Sequence, residues 1–446
     1  MNFKSNILGK GLAFVSVILA GGFIASCDDQ PDEFKGEGGV PTIKYIRTSL
    51  PQQADSLITE AHLESIICIV GNNLKSVHEI WFNDQKASLN TSYMTDHTII
   101  VAIPSGIPAE VSNKIYFKTF SGATVDYDFG VVVPGPVIYS MSNENASPGE
   151  EVTLVGNYFC DDPNVPLEVE LPGNVKVTEF TDISLNRVSF ILPDNATEEG
   201  QISVSSIYGK TKSPFHIHDS RGMLFDFDGQ TGLVFTENCW HGHTAKTDEW
   251  SLSGNYVQMG DGSKSFTLDG GTWIDDSETG YFLEYWPGDW NGEFPASGQG
   301  MKLSDLVDFS KWEDMSLKFE MQIPAENPWY SGVPLQVIIT SPKQITLSTA
   351  GWDFFNGDAD KQAPRALYRP WRTATGGVYH TDGKWVTVTI PFNTFSYNYE
   401  ETATANPITG PESFGGITLC LTGGTIDADQ PAPIVRIDNI RAVKNL

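Results

Sequence analysis

The sequence predicts an all-β chain in which two small, similar sandwiches precede a larger one. Three observations carry this expectation. Gly and Pro are frequent, with 42 and 26 copies, and short alternating runs such as Trp385–Ile390 recur with turn residues between them, the pattern of half-buried strands. No extended stretch beyond the N-terminus keeps a helical period. At 446 residues the chain also exceeds what one hydrophobic core usually encloses, so two or three domains are expected.

The first element lies outside the fold. Residues 1–26 carry Lys4 and Lys10, an apolar run from Leu12 to Leu19, and small residues before Cys27. Charge, length and cleavage-site composition read as a secretion signal, and the run is short for a membrane span. Ile24-Ala25-Ser26-Cys27 resembles the bacterial lipobox. The resemblance implies acylation of Cys27 and a stable lipid anchor, because each buried methylene contributes about 0.8 kcal/mol. The alternative is an ordinary signal peptide with an incidental Cys. Residues 27–40 form an acidic tether, whose opening CDDQPDEF resembles the export tag of surface lipoproteins in Bacteroidetes and implies the outer face of the cell outer membrane. Without residues 1–26 the charge is 26 minus 56, or −30. Such a field repels polyanions, which argues against nucleic acid and strongly sulfated or uronate-rich polymers, and leaves neutral partners.

Residues 41–218 hold a weak internal repeat. The stretch at Pro41 (PTIKYIRTS) is echoed at Pro136 (PVIYSMSNE), Ile69 (IVGNNL) at Leu154 (LVGNYF), Val101 (VAIPSGIP) at Phe190 (FILPDNAT), and Phe120 (FSG) at Ile207 (IYG). The last three offsets are 85, 89 and 87, a period of immunoglobulin-like size, while the first is 95 and places an insertion near Ser49–Leu63. The pattern resembles the TIG-type immunoglobulin-like domain, here spanning 41–133 and 134–218. Neither copy clusters His, Cys or carboxylates suited to chemistry, so both read as spacers; binding a protein through an exposed strand edge is the alternative. Of the cysteines beyond Cys27, Cys68 and Cys420 sit in apolar runs and are expected as buried hydrophobes. Only Cys239 and Cys420 share a segment and could pair.

Residues 219–446 hold ten of the eleven Trp. Leu317, Phe319, Met321 and Ile323 alternate on one strand, Val386, Val388 and Ile390 on another, and GGITLCL and PIVRIDNIRAV follow. Period-two alternation with frequent turns indicates a β-sandwich, jelly-roll-like in its length.

The stretches GKWVTVTIPFNTF, IVRIDNIRAV and YRPW (Tyr368–Trp371), together with the lipobox and the tandem copies, resemble surface glycan-binding lipoproteins of Bacteroidetes polysaccharide-utilisation systems. The resemblance implies non-catalytic capture of a polysaccharide by aromatics of the last domain, beside an outer-membrane transporter and companion glycan-binding lipoproteins, with no cofactor. The chemistry of a sugar ring points the same way. A pyranose has an apolar face and a hydroxyl rim, so it needs a flat aromatic platform bordered by donors and acceptors. Trp286 and Trp290 flank a Pro-Gly-Asp turn, and Trp329 and Tyr330 sit in AENPWYSGVP; these four are the expected platforms, with Asp289, Asn291 and Asn327 near enough in sequence to reach hydroxyls. Trp352 and Trp371 come next, the latter beside Arg369 and Arg372. Trp240, Trp250 and Trp273 are balanced between core and rim, and Trp312 and Trp385 are expected to be structural. A platform that removes roughly 50 to 100 Å² of apolar surface contributes about 1 to 2.5 kcal/mol. Neutral β-glucans such as xyloglucan, mixed-linkage glucan or laminarin fit the charge argument.

Other chemistry is weakly signalled. Cys239, His241 and His243 lack identifiable further ligands for zinc, and the acidic turns at Asp358, Asp360 and Asp427, Asp429 lack EF-hand spacing. A glycoside hydrolase would need two facing carboxylates, which a sequence with 56 acids neither reveals nor excludes.

Overall fold

The computed structural model describes residues 38–50, 52, 55–231, 233, 243–276, 278–288, 300–330, 332–342, 355, 357–358 and 360–446. Nearly all regular structure among them is β, and three separate hydrophobic cores follow one another along the chain, from Ile46 to Val133, Ile138 to Ile217 and Leu224 to Ala442.

The internal repeat has a physical basis in strand register. In the first copy Thr42–Thr48 pairs antiparallel with Ile66–Asn72, matching Thr42 to Asn72 and Ile43 to Gly71 before a bulge. In the second, Val137–Met141 pairs with Glu151–Asn157, matching Val137 to Asn157 and Ile138 to Gly156 before a bulge at the same place. The shared Gly is required by close approach: a Cβ at Gly71 would lie 2.1 Å from the Thr42 carbonyl oxygen, and at Gly156 2.0 Å from that of Val137. The insertion expected in the first copy carries a short strand, Glu60–His62, which runs parallel to Gly130–Val132.

The last unit is a sandwich of two antiparallel sheets. One orders Met223–Phe225, Val435–Lys444, Met315–Gln322 and Val386–Pro391, with Val257–Met259 also on Val435–Lys444. The other orders Phe282–Tyr285, Gly416–Leu421, Leu335–Thr340 and Arg365–Tyr368. Leu317, Phe319 and Met321 face the shared core as their alternation predicts. Their polar neighbours Ser316, Lys318, Glu320 and Gln322 are buried as well. Ser316 and Gln322 bond to Asn445 and Gly383 of the same domain, but for Lys318 and Glu320 the reason lies in another domain. Lys318 Nζ donates to Glu144 Oε1 at 2.5 Å and Arg441 donates to both Glu144 (3.0 Å) and Glu320 (2.8 and 3.0 Å), so a carboxylate from the second immunoglobulin-like unit completes the charge balance of this sheet face. Val386–Pro391 is an edge strand, and the second unit covers it: Thr387 N–H donates to Ser142 O at 2.9 Å and Thr387 Oγ1 accepts from Glu144 N at 2.7 Å. The first two units are tied similarly, through Val111 N–H to the Asp162 carboxylate at 2.9 Å.

Candidate functional site

The structure changes the picture of the expected platforms. Trp329 is 0% exposed and its indole N–H donates to Val333 O at 2.8 Å, while Trp286 is 5% exposed. A ring with no free face cannot stack on a sugar, so neither is a platform in this conformation; both belong to the packed interior. The physical reason is that turn residues around a ring do not expose it: Trp286 directly follows the strand Phe282–Tyr285 and Trp329 sits on a short paired strand, so both rings are held against the sandwich. Tyr330, next to Trp329 on the two-residue strand paired with Val378–Tyr379, is half-buried, as alternation across a strand requires. Asn327 spends its amide N–H on Ala432 O at 3.1 Å. Trp290, with Asp289, Asn291, Trp240 and Trp352, lies outside the described residues. Trp312 is half-buried against the main core and Trp385 is buried, its indole donating to Trp250 O at 2.9 Å.

What the structure assembles instead is a cleft of about 640 Å³ around Trp371 and Tyr399. Trp371 occupies a single 3-10 turn, Pro370–Arg372, that follows the strand Arg365–Tyr368. It is half-buried, and its indole N–H donates to Val333 O at 3.1 Å, the same carbonyl that Trp329 uses. The buried Trp329 thus shares an anchor with the more accessible Trp371. Arg372 sits with its guanidinium carbon 5.9 Å from the centre of the Trp371 ring, and Arg369 pairs with Glu401. Two arginines and the two acids Glu400 and Glu401 line the cleft, so it is charge-balanced within a chain of net charge −28. Its far wall needs glycine. Gly424 has φ +73°, and a Cβ there would lie 1.8 Å from the Gly332 carbonyl oxygen.

Beneath the cleft, the outer face of the second sheet carries its own small core of Phe282, Ile338, Phe355, Ala363 and Cys420, with Trp273 and Tyr399 packed against it. Trp273 lies 4.8 Å from Phe282 and 5.3 Å from Phe355, and Tyr399 lies 5.6 Å from Phe355. Arg365 is enclosed here, donating to Gln336 Oε1 at 2.7 Å and Phe355 O at 2.5 Å; burial pulls its pKa down to about 10. Gln362 Oε1 accepts from the Tyr399 backbone N–H at 2.6 Å and its amide reaches the Glu400 carboxylate at 3.2 and 3.3 Å. Tyr399 therefore rests on this polar and aromatic layer, while Trp371 packs against the main core, so both cleft aromatics are backed from within, the preorganisation that a weak-contact ligand site needs. Sequence reasoning ranked Trp371 second and missed Tyr399, although SYNYEE, Ser396–Glu401, has the same aromatic-in-turn character as the segments it favoured.

A domain model described as the surface glycan-binding protein B xyloglucan binding domain matches residues 217–444, which take in the whole two-sheet sandwich and the cleft. The chain belongs to this family. It is similar over 92% of its length to the crystal structure of a surface glycan-binding protein from Prevotella bryantii, at 38% identity and a TM-score of 0.79, covering 100% of that chain. A solved SGBP-B from a xyloglucan utilization locus of Bacteroides uniformis aligns over 91% of this chain and 100% of its own, at 14% identity and a TM-score of 0.39. An IPT/TIG domain-containing protein of Bacteroides ovatus is 30% identical over 196 residues, spanning 41% of this chain but only 39% of that relative.

The remaining motifs are structural in what they touch. His243 is buried with Nε2 2.7 Å from Phe282 O, whereas Cys239 and His241 lie outside the described residues. Glu199, His216 and Asp219 converge, but Arg221 already holds the Asp219 carboxylate through two 2.7 Å hydrogen bonds and Ser220 donates to Glu199. Cys68, Cys160 and Cys420 are buried free thiols.

Proposed function

We propose that this protein captures a neutral β-glucan at the cell surface without cleaving it, through the Trp371–Tyr399 cleft of its last domain. The observation that carries the reading is a charge-balanced cleft bearing two supported aromatics, within the domain that the xyloglucan-binding family model matches. Xyloglucan is the foremost ligand on the description of the family to which residues 217–444 match. Aromatic stacking supplies the apolar contact, and Arg369, Arg372, Glu400 and Glu401 supply the hydroxyl contacts. Glu400 is exposed and Glu401 is paired with Arg369, which suits hydrogen bonding to sugar better than general-acid catalysis, where a carboxyl is held away from water. The expected affinity is micromolar to millimolar, because a few platforms of about 1 to 2.5 kcal/mol must offset the ordering of a flexible polymer.

The anchor is part of the proposal. Cys27 would be acylated after removal of residues 1–26, the acidic tether would lead to the outer face of the outer membrane, and the two spacer units at 41–133 and 134–218 would present the domain at 219–446 to polymer passing to a transporter and companion lipoproteins. The test is native gel retardation in a panel of polysaccharides, with an assay for new reducing ends. Retardation by neutral β-glucans and no released ends is expected. Oligosaccharide release would favour a hydrolase, and binding of residues 41–218 to a host protein without any glycan binding would favour an adhesin.

A further inference from the structure

A second cavity, of about 360 Å³, opens at the junction of the second immunoglobulin-like unit and the last domain. Its walls come from both: Glu150 and Glu151 on one side, Gly383, Lys384 and Trp385 on the other. Lys384 Nζ spans it, 3.6 Å from Glu151. Beside Gly383 stands Trp250, which at 41% exposed is the most accessible Trp among the described residues.

Trp250 is held as a platform is held. The Arg436 guanidinium carbon lies 4.7 Å from the centre of its ring. Arg436 is itself fixed by hydrogen bonds to Gln258 Oε1 and Gln322 Oε1, and Gln322 donates onward to Gly383 O at 2.7 Å. The Trp250 carbonyl accepts from the buried Trp385 indole, which packs edge-on against Tyr256 at 5.9 Å. An ordered cation behind an aromatic ring fixes its orientation and leaves its exposed side to a ligand. Gly383, which lines the cavity, brings the ring next to it: a Cβ there would lie 4.0 Å from the six-membered edge of Trp250.

We infer that Trp250 and the junction cavity form a second glycan subsite, which takes a segment of the same neutral β-glucan and is built jointly by a spacer unit and the binding domain. The cavity lies within the size range of small-ligand sites, and it joins a flat aromatic to carboxylate acceptors and an ammonium donor, the composition that a hydroxyl-rimmed pyranose requires. This rests on the glucan-binding reading. A polymer that engages two sites on one chain gains avidity that neither site has alone.

The test uses the full mature chain and gel retardation in xyloglucan and in mixed-linkage β-glucan. Wild type, Trp250→Ala, Lys384→Ala, Trp371→Ala and the Trp250→Ala/Trp371→Ala double variant are compared, with melting curves for each. Trp250→Ala is expected to weaken retention about tenfold and Lys384→Ala severalfold, both with wild-type melting, and the double variant to lose the retention that Trp371→Ala keeps. If wild type is retained and both Trp250→Ala and Lys384→Ala are retained equally, the second subsite is overturned while the main reading stands. A wild-type chain retained by neither glucan overturns both.

Discussion

The sharpest consequence of the geometry concerns two tryptophans that share one hydrogen-bond acceptor. Val333 O accepts from Trp329 at 2.8 Å and from Trp371 at 3.1 Å, so removing either indole leaves the carbonyl satisfied by the other. Trp329 is wholly enclosed, and Trp329→Ala opens a cavity whose cost is about 3 to 5 kcal/mol. At about 2 to 4 °C per kcal/mol for a domain of this size, its melting transition should fall by roughly 6 to 20 °C. Trp371→Ala loses one hydrogen bond, worth about 1 kcal/mol, and part of its packing, so its transition should fall far less. Binding should show the reverse order. Loss of one stacking face of about 1 to 2.5 kcal/mol weakens glucan affinity by roughly five- to seventyfold in Trp371→Ala. Calorimetric titration beside scanning calorimetry on both variants reads the two effects separately. Trp371→Ala that binds as wild type, or Trp329→Ala that melts as wild type yet no longer binds, would falsify the assignment of cleft and support.

Other perturbations follow from the same structure. Glu144→Ala removes the carboxylate that Lys318 donates to and one of the two that Arg441 donates to, and should cost about 3 to 5 kcal/mol, seen as earlier unfolding of the last domain in urea; an unchanged midpoint would mean that the domain junction contributes nothing. Burial, helped by Glu320 and Asp228, pushes the Asp438 carboxyl from its ordinary 3.8 up to about 8. The folded state therefore binds that proton more tightly than the unfolded state, so its contribution to stability is greatest below about pH 4 and declines as pH rises towards 8, by up to about 1.4 kcal/mol per pH unit. Asp438→Asn should flatten that decline in urea midpoints measured between pH 5 and 8; an unaltered slope would assign it to other groups. Gly71→Ala, which places a Cβ 2.1 Å from the Thr42 carbonyl oxygen, should disrupt the first unit but leave glucan binding intact, and lost binding would give that unit a role beyond spacing. Cys27→Ser should release the protein from membranes or leave it unprocessed, whereas normal cleavage with full membrane retention would argue against acylation.

How far the sequence was legible depended on what kind of information each feature carries. Strand pattern and repeat are local, so the repeated Val-Gly-Asn strand ends and the Leu317–Ile323 alternation were visible as composition and period. Burial from outside an element is not local. Lys318 and Glu320 look like a solvated face until Glu144, more than 170 residues earlier, packs against them. The aromatics show the same limit: Trp286 and Trp329 have turn residues on both sides in the sequence, yet one directly follows a strand and the other lies on a short paired strand, and both are buried, whereas Trp371, on a 3-10 turn that opens onto the cleft, is only half-buried. The cleft also depends on Tyr399 and Gly424 meeting Trp371 from distant segments, a convergence that spacing along the chain does not encode.

The most direct test of the central claim is a crystal structure of the mature chain with a xyloglucan or mixed-linkage glucan oligosaccharide. The geometry predicts a glucosyl ring stacked against Trp371, with hydroxyls within hydrogen-bond distance of Arg369, Arg372, Glu400 or Glu401 and Trp329 still buried beneath. An oligosaccharide bound elsewhere on the domain, with Trp371 and Tyr399 untouched, would contradict it.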